Sequence, residues 1–178
     1  VLDEVRPYVD VVAFGDDVAF HDRPIVDLGR YRKLFKPRHG KMIDRLKTRS
    51  DAKVLYHCCG AVKALIPEFI DIGVDAVNPV QVSSAGMDDT AALKREFRDR
   101  ICFWGGIDTQ HVLPMGTPEE VRQEVRRRIG DLAPGGGFVL APVHNIQEDV
   151  PPENIVAMAD AAWETTAAVP ATTGTESR

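Results

Sequence analysis

Short apolar runs that alternate with helix patterns limit the fold of this chain more than any other feature. Residues 9–14, 53–57, 76–79, 101–104 and 138–142 read as five buried strands. Their apolar residues are mostly consecutive, as expected of parallel strands covered on both faces. Val62, Leu65, Ile66, Phe69 and Ile70 follow helical spacing, with Pro67 either near that helix's start or kinking it. Val121, Val125, Ile129 and Leu132 form a second helical set, opened by Thr117 as N-cap and Pro118 at the first helical position. Ile155, Met158, Ala159 and Ala162 form a third, opened by Pro151-Pro152-Glu153. Segment 29–49 is helical in composition but contains Pro37, so it reads as two helices that break near Lys36.

Repeated strand–helix alternation means an α/β fold with a parallel sheet. An open doubly wound sheet lacks support, because Gly135-Gly136-Gly137 precedes a strand and reads as a turn rather than a phosphate cradle. A partial (β/α)8 barrel fits better, since nearly every apolar run ends in polar residues and barrel sites sit at the C-terminal strand ends. A whole barrel takes about 250 residues, so the chain supplies about five parallel βα units. Val1 to Val5 reads as the last turns of a helix with no initiating Met, as in a piece of a longer protein. Residues 1–166 read as the barrel part and 167–178 as a disordered tail rich in Thr and Ala.

Composition excludes several functions. Of the residues, 44% are hydrophobic and 28% charged, an ordinary globular balance. Net charge is -5, and the run Arg126-Arg127-Arg128 lies on a helix pattern as a solvated face, so nucleic-acid binding has no electrostatic basis. No apolar stretch approaches the roughly 20 residues of a membrane span, and no signal peptide is visible. Three cysteines, two of them adjacent, do not make a disulfide framework and suit a reducing cytoplasm.

The chemistry gathers at the strand ends: Asp16-Asp17, then His57 and Cys59, then Asn78 and Gln81, then Asp108, then His144 and Asn145. Alternate side chains of a strand share a face, so His57 and Cys59 point the same way and form half of a soft metal site, for which zinc is the usual occupant. Cys58 faces the other way as a packed hydrophobe, and Cys102 reads as core. His144 is a third metal ligand, an acid/base group or a loop histidine. Asp16 and Asp17 bind substrate, accept a hydrogen bond, complete a metal site or simply make a turn. Asn78, Gln81, Asp108 and Asn145 are candidates for substrate binding. His21, His39 and His111 read as ordinary loop or helix-face residues.

Four groups of residues resemble the uroporphyrinogen decarboxylase family. They are Phe14-Gly15-Asp16-Asp17 with Tyr31-Arg32-Lys33-Leu34-Phe35-Lys36-Pro37, His57-Cys58-Cys59-Gly60, Trp104-Gly105-Gly106-Ile107-Asp108, and Ala141-Pro142-Val143-His144-Asn145-Ile146 with Pro152-Glu153-Asn154-Ile155. The likeness extends to Trp163 and implies the C-terminal part of a (β/α)8 barrel. The family holds two chemistries. Its decarboxylases remove carboxyls from a tetrapyrrole without metal or cofactor; their final-strand histidine is matched by His144, but their arginine-rich opening segment and critical aspartate have no counterpart here. Its zinc methyltransferases work with corrinoid proteins and carry a His-x-Cys-Gly motif, matched by His57 and Cys59, plus a later cysteine where this chain has His144. The resemblance therefore implies either zinc-dependent methyl transfer, with His57, Cys59 and His144 as ligands, or cofactor-free decarboxylation of a polycarboxylate. A third expectation is a non-catalytic barrel slice that self-associates through its open edges.

Overall fold

The computed structural model describes Glu4 and residues 8–167. One sheet runs in the order β1-β2-β3-β4-β5. Its strands are β1 Val11–Gly15, β2 Lys53–His57, β3 Ala76–Val80, β4 Cys102–Ile107 and β5 Phe138–Pro142. Each neighbouring pair is parallel. Parallel neighbours need crossovers, and these are right-handed. Every crossover here steps one strand in the same sense, so all of them pass over one face. A doubly wound sheet reverses direction partway, and this order does not.

The larger helices are α1 Lys36–Lys47, α2 Ile66–Asp71, α3 Thr90–Phe97, α4 Pro118–Leu132 and α5 Pro152–Ala167. On the helix-covered face Val54, Tyr56, Val77 and Phe103 are fully buried against Tyr31, Ile43, Phe69 and Leu93. A second cluster joins Ile107 to Val121, Val125, Ala157 and Ala161 of α4 and α5. The opposite face is different. Val11, Ala76, Cys102, Trp104 and Val139 border a hollow of roughly 500 Å³ at the N-terminal strand ends. The consecutive apolar residues thus meet helices on one side only; no second helix layer lies on the other side among the described residues.

Local chemistry explains where the elements differ from the sequence expectation. Segment 29–49 changes helix type at Lys36, where the sequence predicts a break, but stays helical through it. A turn at Leu28–Arg30 passes into a π-helical stretch Tyr31–Phe35 and then α1, with the Lys36 N–H donating to the Tyr31 carbonyl. Pro37 has no N–H to give to an α-helical ladder, and the change of helix type near Lys36 absorbs it. Pro67 falls in the first turn of α2, after a 3-10 turn at Lys63–Leu65, where a missing N–H costs nothing. Thr117 caps α4 as the sequence predicts, and Glu120 completes a capping box with it. Strand β4 runs on through Gly105 and Gly106. A Cβ at Gly105 would stand 2.9 Å from the Val80 backbone nitrogen, so the close approach of β3 requires glycine there. The expected N-terminal helix lies outside the described residues except for Glu4, which is helical. The expected disordered tail also lies outside them except for Ala167, which ends α5.

A buried carboxylate ties α1 and its π-helical lead to α2. Glu68 is 3% exposed and accepts from Arg32 Nε at 2.8 Å and Lys36 Nζ at 2.6 Å. The Arg32 hydrogen bond, then that of Lys36, holds its carboxyl below the usual carboxylate range. A depressed folded-state pKa stabilises the fold above the unfolded value and loses that contribution as pH falls through the folded one. Glu68→Gln is therefore expected to cost about 2 kcal/mol near neutral pH in urea unfolding, with the gap to wild type closing below about pH 4. The outer edges of β1 and β5 carry no partner strand among the described residues. The chain by itself is expected to sediment above monomer mass at micromolar concentration, and a cooperatively unfolding monomer would contradict this.

Candidate metal centre

Parallel register aligns one row of the site. Gly15 pairs with His57, and His57 with Asn78. Partners in a row share a face, so His57 and Asn78 both lie on the open face at the C-terminal strand ends. The His57 Nδ1 stands 2.6 Å from Asn78 Oδ1. Asn78 Nδ2 donates to the Trp104 carbonyl at 3.4 Å, which fixes the amide's orientation. Asn78 Oδ1 therefore accepts from His57 Nδ1–H and leaves the Nε2 lone pair free to coordinate. That Nε2 lies 3.5 Å from Cys59 Sγ.

The two acidic residues after β1 separate. The Asp16 N–H donates to the His57 carbonyl at 3.1 Å and extends the strand pairing. Its carboxylate turns to His39 Nε2 at 3.0 Å, and its carbonyl accepts from the Tyr56 hydroxyl at 3.0 Å. Asp17 turns the other way, and its Oδ1 accepts the Cys59 N–H at 2.8 Å. One ligand atom each from Asp17, His57 and Cys59 lies within 4.8 Å of the others. A borderline nitrogen, a soft sulfur and a hard oxygen in that space suit zinc. Burial, and then the Asp17 carboxylate, push the Cys59 thiol up, so a metal there has to displace its proton. Cys58 points into the core, fully buried, where burial pushes its thiol up to about 12.

The remaining sequence candidates fall around this group. His144 is exposed and lies outside the 4.8 Å group, with its ring 6.4 Å centroid to centroid from that of His57. The third close donor is thus the Asp17 carboxylate, and His144 stands one ring further out. His57, Asn78, Trp104, His144 and Asn145 border a hollow of roughly 630 Å³. Gln81 is 5% exposed, and its Oε1 accepts the Gly60 N–H at 2.7 Å. Asp108 is 7% exposed and accepts from the Gln110 N–H at 2.8 Å and from His111 Nδ1 at 3.1 Å. Asn78, Gln81 and Asp108 thus spend side-chain atoms on protein partners, while Asn145 is exposed.

Two histidines read as ordinary from sequence have specific places. His39 is buried between Asp16 and the Tyr31 hydroxyl. His21 meets Gln81 Nε2 at 3.3 Å and Gln110 Nε2 at 3.4 Å. The only sequence signal for His21 is its position in the loop that follows the first strand end.

The family model for uroporphyrinogen decarboxylase matches residues 8–165. The uroporphyrinogen decarboxylase of Psychromonas ingrahamii is 35% identical over 97 residues, 53% of this chain and 25% of that protein. That of Herminiimonas arsenicoxydans is 32% identical over 103 residues, 54% of this chain and 26% of that protein. Among solved structures, a methyltransferase from Methanosarcina mazei superposes with a TM-score of 0.71 at 22% identity, covering 91% of this chain and 44% of that one. The chain thus matches about a quarter of the length of these curated relatives and under half of the solved structure. That likeness shows the fold: the five strands are part of a TIM-type barrel, and the open sheet face corresponds to a barrel interior. With the family match running from β1 to α5, the chain belongs to the uroporphyrinogen decarboxylase family.

Proposed function

We propose that this chain carries the metal-binding part of a zinc-dependent methyltransferase that draws its methyl group from a corrinoid partner protein. The observation that carries the reading is the convergence of Asp17, His57 and Cys59 within 4.8 Å. The held tautomer of His57 supports it, because an acceptor on Nδ1–H is what a metal-ligating imidazole ordinarily has. Zinc held there by Asp17, His57 and Cys59 would supply a Lewis acid that favours the thiolate of an acceptor thiol, the nucleophile for the methyl group. The chain's own residues do the rest. Asn78 aims His57, the Cys59 N–H anchors Asp17, and Cys59 gives up its proton on binding. His144, across from His57 in the same hollow, stands where it can hold a proton near the acceptor or serve as a further ligand.

A second reading is cofactor-free decarboxylation of a polycarboxylate, favoured by the names of the curated relatives. Such a substrate needs cationic clamps, and no Lys or Arg is among the described residues that border the two hollows at His144.

Metal analysis tests the first reading. The protein is expected to bind one zinc per chain, and Cys59→Ala and His57→Ala to lose it. Asn78→Ala is expected to keep the stoichiometry and weaken affinity about 10–100-fold, as loss of a ligand's hydrogen-bond partner does. Substoichiometric zinc that is unchanged in Cys59→Ala would remove the reading. Turnover of uroporphyrinogen by metal-stripped protein would establish the second.

A further inference from the structure

His39 of α1 is 7% exposed and sits in a box of aromatic rings. The rings of Tyr56, Tyr31, Phe14 and Phe35 lie 5.5, 6.0, 6.2 and 6.2 Å from its own, centroid to centroid. Both of its nitrogens still have polar partners. Nε2 stands 3.0 Å from Asp16 Oδ2, and Nδ1 stands 3.2 Å from the Tyr31 hydroxyl. A carboxylate oxygen only accepts, so Nε2 carries a hydrogen and donates it to Asp16.

The irregular start of this helix serves the contact. In an α-helix, positions about seven apart share a face. Tyr31 and His39 are eight apart, and the π-helical stretch Tyr31–Phe35 takes up the extra residue. Both side chains thereby reach the end of β1.

The residue that His39 holds is the neighbour of a candidate ligand. Asp16 is tied at three points: its N–H to the His57 carbonyl, its carbonyl to the Tyr56 hydroxyl and its carboxylate to His39. The first two fix its backbone, and the third fixes its half-exposed side chain. On the far side of Asp17, the Val18 N–H donates to Cys58 Sγ at 3.4 Å. Asp17 lies between these anchors, with its Oδ1 on the Cys59 N–H. Adjacent carboxylates repel each other and compete for one cation. Here the buried imidazole draws the Asp16 carboxylate toward α1, while Asp17 joins His57 and Cys59.

Resting on the zinc reading above, we propose that His39 is a positioning residue for the metal: it holds Asp16 on the helix-covered side, so that Asp17 is the acid that completes the ligand set with His57 and Cys59.

Two measurements test this. The first follows cobalt(II) binding through the sulfur-to-metal absorption band. His39→Phe keeps a ring in the aromatic box and removes the N–H. It is expected to weaken cobalt binding about tenfold. Asp17→Ala is expected to weaken it too, and adding His39→Phe to Asp17→Ala to weaken it no further, because His39 acts through Asp17. His39→Gln, whose amide again offers Asp16 an N–H, is expected to recover most of the loss. Wild-type affinity in His39→Phe overturns the proposal. A loss of equal size in the Asp17→Ala background also overturns it, since that marks a general loosening.

The second measurement needs no metal. Amide hydrogen exchange is read by mass spectrometry at single-residue resolution. The Cys59 N–H is bonded to Asp17 and the neighbouring Cys58 N–H to the Asn78 carbonyl. In His39→Phe the Cys59 amide is expected to exchange about tenfold faster, as in Asp17→Ala, while the Cys58 amide keeps its rate. Unchanged exchange at Cys59, or equal acceleration of both amides, overturns the proposal. If cobalt does not bind, the zinc reading fails by itself, and exchange at Cys59 alone decides whether His39 places Asp17.

Discussion

Parallel pairing in unbroken sequential order is the constraint on which the rest of this molecule depends. It sends every crossover over the same face and brings every strand to its C-terminal end on the same rim. Asp17, His57 and Cys59 meet because β1 and β2 pair in register up to Gly15 and His57. Asn78 reaches His57 because β3 continues the same row. The covered face supplies the stiffness: Tyr56 packs between Phe14 and Phe69 at ring distances of 4.6 and 4.5 Å, directly beneath the strand end that carries the imidazole.

Much of this was legible in the sequence, and the rest was not for identifiable reasons. β2 and β5 begin and end where expected, because each apolar run is bounded by polar or turn residues. β1 lies two residues late at its start, and β4 runs three residues long at its end, through the glycines that a propensity reading leaves out of strands. Near Lys36 the Pro37 signal marks the place where the helix changes, and a π-helical turn ahead of it lets the chain stay helical there. At the site, the His57–Cys59 pairing follows from strand alternation alone. Which acidic residue joins them does not, since Asp16 and Asp17 are adjacent and leave the chain in opposite directions. The Cys59 N–H settles the matter by taking Asp17.

Asn78 and Gln81 illustrate a different limit. A polar side chain at a strand end looks from sequence as though it awaits a substrate. Here both amides satisfy donors and acceptors of the protein itself, and through them they govern how chemically active groups are presented. Gln81 matters because Gly60 is buried and its N–H needs an acceptor. Gly60 in turn has φ +102, and a Cβ there would stand 2.5 Å from the Phe20 carbonyl. The turn that carries Cys59 is thereby pressed against the loop that carries His21, and the chemistry of the sulfur and the lining of the hollow beside it are set by the same contact.

The neighbour-to-neighbour strand order also bears on how the chain assembles. Among the described residues each strand pairs only with the strands next to it in sequence, so each of these pairings joins consecutive units of the polypeptide. Each crossover nonetheless spans roughly 20 to 40 residues, so every parallel pairing closes a long loop and forms slowly beside a hairpin. A sheet of this kind can grow one strand at a time as the chain leaves the ribosome, each completed unit templating the next.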